Sequence, residues 1–276
     1  VLRGQAYIKT AIDIAAWDAA GKARGVPLCA LTGGTIEDAV PLYDVVTAGG
    51  TDDAAIDLAD ELITAGYRRL QVKVGGDPTA DAARLRRVHD HVPSSTVLFA
   101  DANGGFDVER ARVFLAATAD LDYTLEQPCA TLEECAAIRD VCPRPLVLDE
   151  SITTAEELRR SVREARVDGV TIKLGRVGGI TPARAIRDEA VALGLTVTIE
   201  AIGGASIGTA AFVHLGIGVP APLRCHTVDF QRWWTVDNGR GLPAAIDGAQ
   251  APPTGPGLGI DVDESALGEP VLDVRR

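Results

Sequence analysis

The chain has no methionine, only 4 histidines and 4% aromatic residues, and its five cysteines include no C-x-x-C pair. Odd in number and scattered (Cys29, Cys129, Cys135, Cys142 and Cys225), these cysteines argue against a disulfide framework or zinc ribbon and read as buried thiols. Positive charge is also scarce. Against 39 Asp and Glu stand 27 Lys and Arg, a formal charge of −12, which removes the electrostatic case for a nucleic-acid or anionic-membrane partner. No apolar run approaches the ~20 residues needed to cross a bilayer, and the start lacks the charged-then-apolar order of a secretion signal. These absences leave a cytoplasmic protein acting on a small molecule. The first residue, Val1, leads straight into a helical pattern, so the natural N-terminus is expected to lie outside this sequence.

What is present is ordinary for a globular chain: 276 residues, 46% hydrophobic and 24% charged, enough for a large core. From Gln5 to Arg24 the apolar residues Ile8, Ile12, Ala15, Ala16 and Ala19 recur at helical spacing, and Gly25-Val26-Pro27 stops the pattern. A short apolar turn from Leu28 to Leu31 follows, ending at Gly33-Gly34. From Val40 short strands alternate with helices. Strands are predicted near 40–47, 69–74, 96–102, 123–127, 146–150, 170–174, 195–199 and 221–225, with helical runs between them, 132–141 among these.

This alternation predicts parallel βαβ units closed into a (β/α)8 TIM-like barrel of the α/β class. An open doubly wound sheet is the competing architecture, but it usually carries a G-x-G-x-x-G turn after its first strand. Thr47-Ala48-Gly49-Gly50 stands there and lacks that spacing. After Asp229 the sequence becomes Phe230-Gln231-Arg232-Trp233-Trp234 and then glycine- and proline-rich, with no helix of useful length.

Two of the predicted strands carry a lysine near their ends, Lys73 and Lys173, and a lysine inside an apolar strand must find a partner or do chemistry. The three strands between them end in acid: Asp101, Glu126 and Asp149. Catalytic groups of such barrels come from the C-terminal ends of strands, so all five side chains are expected at one mouth. Three carboxylates that close raise one another's pKa unless a cation holds them. An oxygen-only donor set favours a hard ion, Mg2+ first and Mn2+ second.

Gln71 shares the face of Lys73, and Asn103 that of Asp101. Glu150, beside Asp149, is expected to face the other way and is a second-choice ligand, while Glu200 ends the seventh strand as a further site group. Taken singly, each acid reads as a solvated loop residue or helix cap, and each lysine as a snorkelling or ion-paired side chain. Their order across consecutive strands favours a metal site flanked by two bases. His214 on a helix, His226 after the last strand and the surface pair His89 and His91 are not read as ligands.

Ala11-Ile12-Asp13-Ile14-Ala15-Ala16-Trp17-Asp18, Val72-Lys73-Val74-Gly75, Asp101-Ala102-Asn103, Glu126-Gln127-Pro128, Asp149-Glu150-Ser151 and Ile172-Lys173 with Gly178-Gly179 occur in that order. The ordered set resembles the enolase superfamily, in particular the muconate lactonizing enzyme subgroup of the mandelate racemase/muconate lactonizing enzyme group. The resemblance implies that Asp101, Glu126 and Asp149 bind Mg2+ and that Lys73 and Lys173 are acid/base groups on opposite faces of the substrate. It also implies three segments: 1–39 as the last helices of an α+β capping domain whose remainder is absent, 40–229 as the catalytic barrel, and 230–276 as a segment returning toward the cap.

Two features depart from the family. Gln71 stands where the family's Lys-x-Lys strand has its first lysine, and most of the capping domain is missing. Gln71 with Gly75-Gly76, Glu126-Gln127-Pro128-Cys129 and Pro256-Gly257-Leu258-Gly259 resembles the branch acting on proline derivatives, although Ile202 stands before Gly203-Gly204 where that branch often has an aromatic.

The chemistry expected is Mg2+-dependent removal of the α-proton of a small-molecule carboxylate through an enediolate. For the lysines this requires a pKa brought below the usual value of about 10.4. Racemisation or epimerisation of a proline-type amino or imino acid comes first, then dehydration of a β-hydroxy acid such as 3-hydroxyproline, then cycloisomerisation. The non-enzymatic alternative is an inactive binding or scaffold barrel. A homo-oligomer is expected, of no particular order.

Overall fold

Runs such as Arg69-Leu70-Gln71-Val72-Lys73 and Gly169-Val170-Thr171-Ile172-Lys173 are short and largely apolar, the second rich in β-branched residues, which suits buried strands better than helices. In the computed structural model, which describes residues 4–46, 52–201 and 203–269, they are parallel strands of one sheet. The chain begins with α1 (Ala6–Arg24) and α2 (Leu28–Thr32). Strands and helices then alternate as β1 (Val40–Val45), α3 (Asp52–Thr64), β2 (Arg69–Lys73), α4 (Pro78–His91), β3 (Val97–Asp101), α5 (Val108–Ala117), β4 (Thr124–Glu126) and α6 (Leu132–Ala137). The alternation continues through β5 (Leu146–Leu148), α7 (Ala155–Ala165), β6 (Gly169–Lys173), α8 (Leu174–Val177), α9 (Ile180–Ala192), β7 (Thr196–Glu200), α10 (Ser206–Gly216) and β8 (Thr227–Val228).

Strands β1 to β7 lie side by side in chain order, and β8 pairs with β1 through Leu42–Thr227 and Tyr43–Val228. The chain just before β8 reaches β7, with Val197 N donating to Leu223 O at 2.7 Å and Cys225 N donating to Val197 O at 3.0 Å. The result is a nearly closed eight-stranded barrel ringed by helices. Leu70, Leu125, Leu146, Leu148, Val170 and Ile172 are fully buried, as expected where helices cover a parallel sheet. Helix starts are fixed by side-chain caps: Asp77 on α4, Asp107 on α5, a Thr131/Glu134 capping box on α6 and Thr154 on α7. Each cap sets where the chain leaves the mouth and so holds the strand-end side chains in register.

The eighth strand is not at 221–225. Leu223 N and Arg224 N both donate to Pro220 O at 2.9 Å, forming a turn, and neither Pro220 nor Pro222 can donate to a ladder. Strand β8 therefore starts at Thr227, and His226 precedes it. The His226 ring is buried with centroids 4.3 Å from Tyr43 and 4.2 Å from Phe99. The helical run expected over 132–141 ends at Ala137 and continues as a single 3-10 turn, Arg139–Val141. The Thr47-Ala48-Gly49-Gly50 turn and Ile202 lie outside the described residues. Among the described residues no helix is long and apolar enough to cross a membrane.

Helix α1 is tied to the barrel by polar side chains. Thr10 Oγ1 donates to Leu174 O at 2.9 Å, directly after Lys173, and Asp13 accepts from Thr181 N at 2.9 Å and Thr181 Oγ1 at 2.6 Å. The C-terminal segment joins both helices: Asp18 Oδ1 of α1 accepts from Leu258 N at 2.8 Å, and Gly257 O accepts from Leu28 N of α2 at 2.7 Å.

The α1–α9 contact depends on Gly179 (φ +119°), where a Cβ would lie 2.5 Å from Asp13 Oδ2. Gly194 (φ +74°) has nothing within 4 Å of such a Cβ. Gly194→Ala is expected to cost about 1–2 kcal/mol from backbone strain alone. Gly179→Ala should cost about 2–4 kcal/mol, because overpacking adds to strain. Urea unfolding of both variants checks this, and equal losses would contradict a tight Asp13–Gly179 contact.

Candidate active site

Strand register builds the site. Lys73 lies opposite Asp101, Asp101 opposite Glu126, and Lys173 opposite Glu200, all at the C-terminal ends of their strands. Asp149 follows β5 by one residue. The structure thus brings Lys73, Asp101, Glu126, Asp149, Lys173 and Glu200 to one mouth, with Gln71 and Thr171 one layer below. Strands β2 and β6 are four apart in a ring of eight, so the two lysines approach from opposite sides.

The acids are almost fully buried: Asp101 is 2% exposed, Glu126 4%, Asp149 1% and Glu200 3%. The Lys73 side chain is 36% exposed and that of Lys173 17%. Lys73 Nζ donates to Asp101 Oδ2 at 2.6 Å and to Asn103 Oδ1 at 2.9 Å. Lys173 Nζ lies 2.8 Å from Asp149 Oδ2 and 3.1 Å from Glu200 Oε1. Asp149 is also ion-paired with Arg176. Glu126 has no ion pair among the described residues and accepts instead from Gln71 Nε2 at 3.1 Å and Thr171 Oγ1 at 2.7 Å.

Burial, then the charges of Asp101 and Asp149, push the Glu126 carboxyl well above the usual carboxylate range. Burial raises Glu200 as well, with Lys173 pulling it back. Burial alone would lower the Lys173 ammonium, but Glu200 and Asp149 outweigh it and hold the group above the ordinary lysine range. The downward shift expected from the sequence belongs to a site with Mg2+ bound; without a cation, the pair of carboxylates at 2.8 and 3.1 Å holds the amine up.

Among the described residues no three acidic, histidine or cysteine side chains stand at ligand distance of a common point. Asp101 and Asp149 are drawn onto Lys73, Lys173 and Arg176 instead. The donor chemistry nevertheless fits a hard divalent cation: three carboxylates occupy successive strand ends, one without a cationic partner. Gln71 Oε1 and Glu150 Oε2 are buried oxygens with no hydrogen-bond partner among the described residues. Asp101, Glu126 and Asp149 are the residues that would hold such an ion, with Glu150 beside them.

Glu150 does not face away. Strand β5 ends at Leu148, so alternation lapses, and the Glu150 side chain accepts from Asn103 Nδ2 at 3.1 Å. Burial, then Asp149, raises its carboxyl above the usual range.

Four partners were not singled out in the sequence. Thr171 was accessible to the same period-two rule that selects Gln71. Gln127 (φ +33°) accepts at Oε1 from Asp149 N at 3.0 Å and donates from Nε2 to Ser151 Oγ at 2.7 Å, locking the β4 end to the Asp149 loop. Arg176 reaches Asp149 only because α8 turns directly after Lys173. Tyr43, whose hydroxyl donates to Glu200 Oε2 at 2.8 Å, gets there through barrel closure and carries no sequence signal. The histidines stay outside the site. His214 Nε2 meets Leu258 O at 3.1 Å, and His89 and His91 pair at the surface with Asp90 and Asp60. A cavity of about 570 Å³ opens beside Leu174 and Ala201, the residues that follow Lys173 and Glu200, with Tyr7, Ile14, Ile207 and Leu258 in its wall.

Residues 54–266 match the family model described as enolase C-terminal domain-like. The chain is 38% identical over 270 residues to the cis-3-hydroxy-L-proline dehydratase of Roseibium aggregatum, an alignment covering 98% of this chain and 73% of that protein. It is 28% identical over 213 residues to the N-succinyl-L-Arg/Lys racemase of Bacillus cereus, covering 75% of this chain and 57% of the racemase. The crystal structure of a member of the enolase superfamily from Roseovarius nubinhibens, complexed with magnesium, matches with a TM-score of 0.92 at 34% identity, covering 98% of this chain and 74% of that one.

Glu126 carries the least compensated charge, so Glu126→Gln should raise the thermal midpoint in EDTA, by the equivalent of about 1–3 kcal/mol. The orphaned Gln71 Oε1 can accept from the new amide. The same variant should lose the rise in midpoint that Mg2+ gives the unsubstituted protein. A midpoint lowered in EDTA would mean that the Glu126 charge is already compensated.

Proposed function

We propose, from the premise that the chain belongs to the enolase superfamily through its enolase C-terminal domain-like region, that it removes the α-proton of a proline-type imino acid. The observation carrying this reading is the placement of Lys73 and Lys173 on opposite sides of three buried carboxylates. Charge supports the substrate class. Lys73, Lys173 and Arg176 face Asp101, Glu126, Asp149, Glu150 and Glu200, an excess of two negative charges. With a divalent cation and Lys73 protonated the mouth is formally neutral, which suits a zwitterion better than a dianion.

Members of the family use Mg2+, which when bound would stabilise negative charge developing on the substrate carboxylate oxygens. The remaining work falls to the chain's own side chains. Lys173, held charged by Asp149 and Glu200, is placed to deliver a proton. Lys73, more exposed and meeting one carboxylate and one amide among the described residues, is placed to take one in its neutral form. Asn103 and Gln71 donate no charge of their own and orient Lys73 and Glu126, respectively.

Dehydration is the first reading, supported by the relative 38% identical to this chain. In a cis-3-hydroxyproline the hydroxyl shares a face with the carboxylate, so it stands opposite the α-hydrogen. A base on one side and an acid on the other then suit loss of the α-proton to Lys73 and departure of the hydroxyl as water with a proton from Lys173. The products are water and an enamine carboxylate, which tautomerises to a pyrroline carboxylate. Epimerisation, the reading favoured from the sequence, uses the same two lysines without a leaving group and is supported by the racemase relative.

The two are separated by 1H NMR in D2O with Mg2+, cis-3-hydroxy-L-proline and the enantiomers of proline and 4-hydroxyproline. Dehydration is expected to remove the signals of the α- and carbinol protons and yield the pyrroline carboxylate. Lys73→Ala and Lys173→Ala should each slow turnover by at least about 100-fold, the lower end of general acid–base contributions. Exchange with the hydroxyl retained would favour epimerisation, and no exchange with any of these acids would contradict both.

A further inference from the structure

We propose that Tyr43 is a positioning residue that fixes Glu200 as the permanent anchor of Lys173, and so governs proton transfer on the Lys173 face alone. The proposal rests on the acid/base reading of the two lysines given above.

The two oxygens of Glu200 are divided between Tyr43 and Lys173. Oε2 accepts from the Tyr43 hydroxyl at 2.8 Å, and Oε1 lies 3.1 Å from Lys173 Nζ. Tyr43 is 5% exposed and Glu200 3%, so solvent is poorly placed to replace either contact. The phenol has little freedom to turn. Its ring lies 4.3 Å from that of His226, which is itself edge-on to Phe99 at 4.2 Å. Its backbone is set by barrel closure, since Tyr43 pairs with Val228 and its carbonyl accepts from Asp229 N at 3.1 Å.

The two anchors of Lys173 differ in kind. Asp149 divides its charge between Lys173 and Arg176 and belongs to the carboxylate set that suits a divalent cation. Glu200 is outside that set. Whatever else claims Asp149, Glu200 keeps Lys173 in place, provided Oε2 stays satisfied. Without the phenol hydroxyl, Oε2 becomes a buried carboxylate oxygen lacking a donor, and the carboxylate is expected to rotate and release the amine. Among the described residues Lys73 donates to Asp101 and Asn103, whereas the Tyr43 hydroxyl donates to Glu200.

The first test is face-resolved exchange. In D2O with Mg2+, α-proton exchange is followed separately for the two enantiomers of proline, and Lys73→Ala and Lys173→Ala identify which lysine serves which enantiomer. Tyr43→Phe should lower kcat about tenfold for the Lys173-dependent enantiomer, with KM and the Lys73-dependent direction within about twofold. Equal losses for both enantiomers, or no loss for either, would overturn the proposal.

The second test does not need activity. The chain has four lysines, Lys9, Lys22, Lys73 and Lys173, so 15N-lysine labelling gives four side-chain Nζ resonances. Tyr43→Phe should shift the Lys173 resonance in EDTA and in Mg2+ and leave Lys73 in place. An unmoved Lys173 resonance would overturn the anchor. Failure of the acid/base reading looks different: the unsubstituted protein neither exchanges either proline enantiomer nor dehydrates cis-3-hydroxy-L-proline, and the Nζ resonances alone then decide the role of Tyr43.

Discussion

Repulsion among buried carboxylates on neighbouring strands is the constraint to which the rest of the mouth responds. Asp101 and Glu126 are directly paired in the β3–β4 register, and Asp149 follows on the next strand, each nearly sealed from water. Burying one unpaired carboxylate is costly, and three together raise one another's pKa. The chain answers with Lys73 on Asp101, with Lys173 and Arg176 on Asp149, and with two neutral donors, Gln71 and Thr171, on Glu126. With Glu150 and Glu200 counted as well, the mouth is left with an excess of two negative charges, which a divalent cation would cancel. The same acids that would hold the ion also hold the proton-transfer groups, so metal affinity and lysine protonation are coupled.

The barrel turns this electrostatic problem into stereochemistry. Because β2 and β6 are four strands apart in an eight-stranded ring, the two lysines stand on opposite sides of the mouth. They are not equivalent. Lys73 is the more exposed and, among the described residues, meets one carboxylate and one amide, whereas Lys173 sits between two carboxylates that favour its protonated form. Helix α1 and the Gly257–Leu258 turn brace the Lys173 side, through Thr10 on Leu174 and Asp18 on Leu258. A two-sided site with one stiff face and one more open face suits elimination across a ring bond as well as epimerisation.

Much of this was legible in the sequence because parallel strands of a barrel announce themselves locally. The β-branched runs ending in Lys73, Asp101, Glu126 and Lys173 fall at strand ends by composition alone, and period-two alternation gives Gln71 its face. Failures came where long-range geometry decides. The turn at Pro220 moves the eighth strand from 221–225 to Thr227–Val228. The early end of β5 at Leu148 brings Glu150 into the mouth, and closure of β8 onto β1 delivers Tyr43 to Glu200. The double anchoring of Lys173 was likewise out of reach, because it depends on two carboxylates from different strands lying within about hydrogen-bond distance of one amine.

The central claim is that Asp101, Glu126 and Asp149 are gathered to share a divalent cation between the two lysines. Crystals grown with Mn2+ test it most directly, through the anomalous difference map. The account predicts a single strong peak within coordination distance of oxygens from all three carboxylates, with Lys73 and Lys173 on either side of it. A peak elsewhere, or full Mn2+ in the crystal with the three acids still turned onto Lys73, Lys173 and Arg176, would contradict it.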